Sequence, residues 1–198
     1  EGEDRATAPG LAAKTRTSAR PPAAEITFQQ MQSLFLSRNR IGDWIYRSFF
    51  TQIVPGMYVR LSEGKAGGEY KIWRVTGVAA KSADQVYEFQ VADAATRSVK
   101  KRRTDRKLDL QRGLRRISLR VDLLSNSPPS VAEYEAYKHS QRHYRQPLTT
   151  SDEAEDVLAR ISAFMDRPFD EEETTAIVRE KERLGIAPRN LAAEREVL

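Results

Sequence analysis

Cysteine is absent from all 198 residues, which excludes a disulfide framework, a thiolate nucleophile and any Cys-based zinc site. The absence fits a reducing compartment. Histidine is almost as scarce. The two present, His139 and His143, have the i, i+4 spacing of a zinc-binding pair, but HSQRH lacks the glutamate of HExxH and no third ligand accompanies it. They read as surface histidines on a basic, tyrosine-rich helix. Long apolar runs are missing too: no stretch of about 18 apolar residues occurs, so no membrane-spanning helix is expected. The opening Glu1-Gly-Glu-Asp4 has neither the basic nor the apolar region of a signal peptide.

Catalytic groupings are equally sparse. Gly64–Gly68 joins two antiparallel strands and does not open a helix, so it is not a phosphate-cradling loop. Asp170–Glu173 reads as a helix N-terminus, where carboxylates complement the macrodipole. No nucleophile–base pair can be placed together. The chain reads as a binding module without enzymatic activity, metal or cofactor.

What is present is charge, unevenly spread. The formal net charge is +5, with 31% of residues charged. Between Arg97 and Arg120 eleven Lys and Arg stand against Asp105 and Asp109, whereas Ser151–Glu182 holds eleven acids against four bases. Such a dipolar chain presents one basic end to anionic partners.

A hydrophobic content of 39% supplies a core for one domain of ordinary size plus tails. Residues 1–25 lack apolar periodicity and are expected to be disordered. Three short helices are expected between Thr27 and Val54, anchored by Trp44, Phe49 and Phe50, with Pro55-Gly56 turning into the first strand. Strands are expected at Met57–Ser62, Glu69–Ala79, Val86–Val91, Leu108–Gln111 and Ile117–Leu124, with Gly64–Gly68 as a hairpin signal. In the last of these Ile117, Leu119, Val121 and Leu123 share one face. Arg97–Lys107, poor in apolar residues, reads as an extended flexible loop. The C-terminal third is helical: Ser130–Glu133 and Thr150–Glu153 form capping boxes, and Asp170 opens a third helix that Gly185 and Pro188 close. The expected fold is α+β, a small partly open β-barrel of the Tudor or PAZ sort at 57–124. N-terminal helices at 26–54 and a helical lobe at 130–184 flank it, and 185–198 form a tail.

Two arginines stand out. Arg38 ends the helical run Phe28, Met31, Leu34 and Phe35, and Arg60 sits mid-strand, where Met57, Val59 and Leu61 alternate with Tyr58 and Arg60. An arginine fixed in this way offers a guanidinium fork that matches phosphate oxygens. Two solvated surface arginines satisfy the same spacing.

The string Leu36-Ser-Arg-Asn-Arg-Ile-Gly-Asp-Trp44, Phe49-Phe50 and Val54-Pro-Gly-Met-Tyr-Val-Arg-Leu61 resembles the plus-three domain of the Rtf subunit of the Paf transcription elongation complex. Tyr70–Val78, Val86-Tyr87 and Leu119-Arg-Val-Asp-Leu-Leu-Ser-Asn126 follow in the same order. The resemblance spans Ile26 to Leu184. It implies a phosphopeptide-binding module for phosphorylated C-terminal repeats of the large Spt-type elongation factor. Such a module tethers the Paf complex to elongating RNA polymerase II in the nucleus, and acts as a monomeric domain. The family's phosphothreonine-contacting arginines match Arg38 and Arg60, with Arg120 as a further basic residue. Tyr70 matches a pocket tyrosine, and Leu123 stands where many members carry a phenylalanine in the peptide groove. Trp73 departs from the small residue expected there. The alternative is single-stranded DNA or RNA binding through Arg97, Lys100, Lys101, Arg102, Arg103, Arg106 and Lys107, with Tyr70, Trp73 and Tyr87 as stacking partners. A methyl-lysine cage on such a barrel is a third, weaker reading.

Overall fold

Side-chain oxygens at three positions set where the C-terminal helices begin. Ser130 and Thr150 each accept the amide of the residue three ahead, and Glu133 and Glu153 reach back to close both capping boxes. Asp170 caps the third helix by accepting from the Glu173 amide. The computed structural model describes residues 24–64, 68–79, 85–92, 98–167 and 170–186. The helices so opened are α4 (Val131–His143), α5 (Ser151–Met165) and α6 (Glu171–Arg183). Before them in the chain lie α1 (Phe28–Ser33), α2 (Arg38–Trp44) and α3 (Phe50–Ile53), as the apolar spacing predicted.

The strands are β1 (Tyr58–Glu63), β2 (Glu69–Val78), β3 (Tyr87–Ala92), β4 (Val99–Thr104), β5 (Lys107–Arg112) and β6 (Arg115–Arg120). They form an antiparallel four-stranded sheet in the order β1-β2-β5-β6 and a separate two-stranded sheet, β3-β4. The fold is therefore α+β, as expected. Among the described residues the strands close no barrel.

Four expectations are corrected. Val99–Thr104 pairs with β3 along its whole length, with Phe89 opposite Arg102 and Glu88 opposite Arg103. The Lys- and Arg-rich segment expected as a flexible loop is thus mostly strand; Arg97 lies outside the described residues. Two of its basic side chains, Arg102 and Arg103, reach across to neighbouring elements, Arg102 with its guanidinium 5.8 Å from the Tyr46 ring centroid. Arg102 Nε donates to Gly42 O at 3.1 Å and Arg103 Nη1 to Gly185 O at 3.2 Å.

The last strand stops at Arg120, and Val121–Leu123 turns as a short 3-10 helix. Val121 is fully buried and Leu123 is 53% exposed, so the shared face predicted for these two residues does not form. Arg38 opens α2 and does not end α1. Tyr58, expected on the polar face of β1, is fully buried beneath α4, its ring edge-on to Tyr137 at 5.7 Å and its hydroxyl 2.6 Å from Thr149 Oγ1. Ala24 and Glu25 are tied to the start of α5, since Glu25 pairs with Thr150 and the Ser151 amide donates to Ala24 O. Residues 1–23 and 187–198, with Pro188, lie outside the described residues.

Ile41, Phe50, Ile53, Val54, Met57, Val59, Ile72, Trp73, Val75 and Leu108 are all without exposure, and one apolar core joins the helices to the larger sheet. The volume of Trp73 is spent in this core. Gly56 adopts φ +93, which favours glycine, and Val157 of α5 lies where a Cβ would stand. The α6 helix docks differently, chiefly by ion pairs: Arg183 to Asp105 at 2.8 Å, Arg106 to Glu180 at 3.4 Å and Arg47 to Glu173 at 2.7 Å.

Candidate functional site

Ser37 is the N-cap of α2, its side chain accepting from the Arg40 amide. Just before it the chain is strapped to β1, because the Leu36 amide donates to Tyr58 O and the Tyr58 amide to Leu34 O. Cap and strap together hold Arg38, the first residue of α2, beside the strand that carries Arg60.

Both arginines then reach the same short segment. Arg38 Nη1 donates to the Asp122 carbonyl at 3.1 Å. Arg60 Nη1 donates to Ser125 Oγ at 3.3 Å, and the Arg60 carbonyl accepts from the Ser125 amide at 2.9 Å. A bridge between Leu61 and Leu124 and a bond from the Asn39 amide to Asn126 Oδ1 at 2.9 Å complete the attachment. Residues 122–126 therefore form a fixed ledge with Arg38 toward one end, Arg60 toward the other and the exposed Leu123 between.

The Arg60 fork is engaged within the chain. Nε meets both oxygens of Glu133, at 2.9 and 3.1 Å, and Nη2 meets one of them at 2.8 Å. The same carboxylate closes the α4 capping box through the Ser130 amide. Tyr70 covers the guanidinium face, its ring centroid 3.7 Å from Cζ, and is itself 39% exposed. The bidentate edge offered to phosphate in the sequence reading is thus occupied, and the Nη1 side faces the ledge. Arg120 is spent on Asp122, at 2.9 and 3.1 Å, and lies over Tyr87 with its Cζ 4.2 Å from the ring centroid. Arg120 thus meets the ledge through the Asp122 carboxylate, whereas Arg38 takes the Asp122 carbonyl and Arg60 takes Ser125.

Tyr87 anchors the ledge from below. Its hydroxyl donates to Arg106 O at 2.6 Å and accepts from the Val121 amide at 2.9 Å. Burial pushes its phenol up to about 12. On the other side of Tyr70 a depression of about 140 Å³ is lined by Glu69, Tyr70, Lys71, Arg112, Ala132, Glu133 and Ala136. Burial lowers the Arg112 pKa, and its Nη2 donates to Ala136 O at 3.3 Å.

Among the described residues the remaining basic candidates differ widely in exposure. Lys100 and Lys101 are exposed on β4, whereas Arg106 is buried against Glu180 and Phe50. Lys107 Nζ donates to Gln85 Oε1. Of the proposed stacking residues Trp73 is fully buried and Tyr87 nearly so, which leaves Tyr70. The His139 and His143 rings stack 6.5 Å apart, and no group of three metal-ligating side chains occurs among the described residues.

Sequence reasoning missed Glu133, Ser125 and Asp122 as parts of this site. Glu133 was visible only as a helix cap, since its contact with Arg60 crosses 73 positions. The Leu-Leu-Ser-Asn string carried the one available signal for the ledge.

The Plus-3 domain pattern matches residues 30–142, a span that holds Arg38, Arg60, Tyr70, Arg120, Leu123 and Glu133. The chain is 26% identical over 161 residues to the RNA polymerase-associated protein RTF1 homolog of Caenorhabditis elegans, covering 79% of this chain and 24% of that protein. Over 179 residues it is 23% identical to Protein RTF1 homolog of Arabidopsis thaliana, covering 87% and 26%. Over 174 residues it is 21% identical to RNA polymerase-associated protein C651.09c of Schizosaccharomyces pombe, covering 87% and 29%. It thus spans roughly a quarter of the length of these relatives. With more than half of its residues inside the matched span, the chain belongs to the Plus-3 domain family.

Proposed function

We propose that this domain reads phosphorylated peptides, specifically phosphorylated C-terminal repeats of an Spt-type elongation factor. In doing so it tethers its parent protein, an Rtf subunit of the Paf complex, to elongating RNA polymerase II in the nucleus. The observation that carries the reading is the convergence of Arg38 and Arg60 on residues 122–126, with Leu123 and Tyr70 exposed beside them. A phosphothreonine brings close to two negative charges and three strong acceptor oxygens. Held guanidiniums meet such a group at small cost in side-chain entropy, and Glu133 and Tyr70 do the holding at Arg60. Leu123 and the Tyr70 ring offer apolar contact to the residues flanking the phosphate, the usual division of labour in phospho-motif recognition. Arg120 contributes positive potential from beyond Asp122. Two of the relatives are named for association with RNA polymerase, which agrees with this setting.

Residues 26–184 are taken as the binding unit, a monomer whose two sheets form the faces of a Tudor- or PAZ-like, partly open barrel. A disordered partner loses entropy on binding, so single sites are weak and repetition of the motif supplies avidity. Calorimetric titration with one synthetic repeat peptide, with and without the phosphate, tests the reading. Binding of the phosphorylated form alone is expected, and equal affinity for the two forms would refute it.

A second reading rests on the exposed pair Lys100 and Lys101 on β4. They would give a sequence-independent contact with single-stranded nucleic acid that weakens steeply with salt. Replacing both with serine should abolish retardation of a single-stranded oligonucleotide at low salt and leave peptide binding unchanged.

A further inference from the structure

Nine prolines occur in this chain, and one of them, Pro128, follows a serine or threonine. That lone Ser-Pro step, Ser127-Pro128, lies immediately after the ledge held by Arg38 and Arg60. Ser127 is exposed and belongs to no helix or strand. Pro128 is exposed as well, while Pro129 is buried and Ser130 caps α4, so the step is presented from a short, anchored connection. Proline biases the residue before it toward extended backbone and carries no amide donor, features that kinases acting on Ser-Pro and Thr-Pro read in their substrates.

Its location matters more than its pattern. Ser125 Oγ accepts from Arg60 Nη1 at 3.3 Å and from the Ser127 amide at 3.1 Å. The arginine and the Ser127 backbone therefore share one hydroxyl oxygen. The Asn39 amide, next to Arg38, bonds to Asn126, so both cationic residues flank the loop that carries Ser127.

We propose that Ser127 is a phosphorylation site for a proline-directed serine/threonine kinase, and that its phosphate is captured in cis by Arg60 and Arg38. The γ-phosphoryl group of ATP is transferred to Ser127 Oγ, the hydroxyl proton is released and ADP departs. The product carries about two negative charges and three acceptor oxygens at the end of a side chain free to turn toward Arg60 Nη1. On the reading given under Proposed function, on which this consequence rests, the captured phosphate holds the arginines that a phosphorylated peptide needs. Modification at Ser127 then switches peptide binding off.

The experiment treats the 198-residue chain with a proline-directed kinase and ATP, and locates the phosphate by tandem mass spectrometry. It then follows phosphate removal by a broad-specificity phosphatase. One phosphate is expected at Ser127 and none in Ser127→Ala. Removal is expected at least tenfold slower than from an isolated phosphorylated peptide of residues 122–132, with the protection lost in Arg38→Gln and in Arg60→Lys. No phosphate at Ser127, or removal as fast as from the isolated peptide, overturns the proposal. Phosphorylated chain should also bind the phosphorylated repeat peptide at least tenfold more weakly than unmodified chain. Protection at Ser127 in a chain whose unmodified form ignores peptide phosphorylation would keep the cis site and remove the peptide reading.

Discussion

Glu133 grips Arg60 through both of its carboxylate oxygens, at 2.8 to 3.1 Å, while closing the capping box of α4. One side chain thus couples the start of a helix to the guanidinium at the centre of the candidate site. Glu133→Gln keeps an acceptor for the Ser130 amide but removes the charge that orients Arg60. Both partners are about five-sixths buried, at 16% exposure, so stability should fall by about 1–2 kcal/mol, between the values for exposed and buried pairs. Chemical denaturation measures that loss, and phosphopeptide affinity should fall with it because Arg60 is no longer held.

Gly42 faces Val91 so closely that a Cβ would overlap both of its methyl groups. Gly42→Ala should push α2 off β3 and cost roughly 1–3 kcal/mol, the usual penalty of overpacking. Because Arg38 rides on α2, the thermal midpoint and peptide affinity should fall together.

Asp105 is fully buried and takes both terminal nitrogens of Arg183, at 2.8 and 3.0 Å. Asp105→Asn should destabilise the fold by about 1–3 kcal/mol, less than for a fully buried pair because Arg183 is a third exposed. The loss should localise to α6 in hydrogen exchange. Deleting residues 151–198 removes Val157 and Ile161 from the core as well and should lower the thermal midpoint far more.

Tyr87 links the Arg106 carbonyl to the Val121 amide, so Tyr87→Phe leaves two buried polar groups unpaired at a cost of about 1–3 kcal/mol. Burial raises the Tyr87 phenol from an ordinary value of 10 to about 12. A raised pKa means that the folded state favours the neutral phenol. The contribution is complete below pH 10 and is lost as pH rises through 12. Alkaline unfolding should therefore begin above pH 10, and the slope of stability against pH should lessen in Tyr87→Phe.

How much of this was legible in the sequence varies with the distance over which each feature is determined. Helix starts were read correctly because Ser130, Thr150 and Asp170 act on amides three residues away. The pairing of β1 with β2 followed from alternation and glycine. Val99–Thr104 was misread because it carries almost no apolar side chains; its strand character comes from pairing with β3, and Arg102 and Arg103 find acceptors on other elements. The break after Arg120 escaped notice because alternation of Ile117, Leu119, Val121 and Leu123 continues through a 3-10 turn. Arg38 and Arg60 were singled out by type and by resemblance. The segment they share, and the carboxylate that holds Arg60, depend on contacts 65 to 84 positions apart, which no local pattern encodes.

The most direct test of the account compares the affinity of one repeat peptide with and without its phosphate, in the unaltered chain and in Arg38→Ala and Arg60→Ala. In the unaltered chain the phosphate should strengthen binding strongly. Each substitution should weaken binding of the phosphorylated form by about 1.5–3 kcal/mol, the worth of a charge-assisted hydrogen bond, and leave the unphosphorylated form unchanged. A preference for the phosphorylated peptide that survives in both variants would contradict the assignment of the phosphate to Arg38 and Arg60.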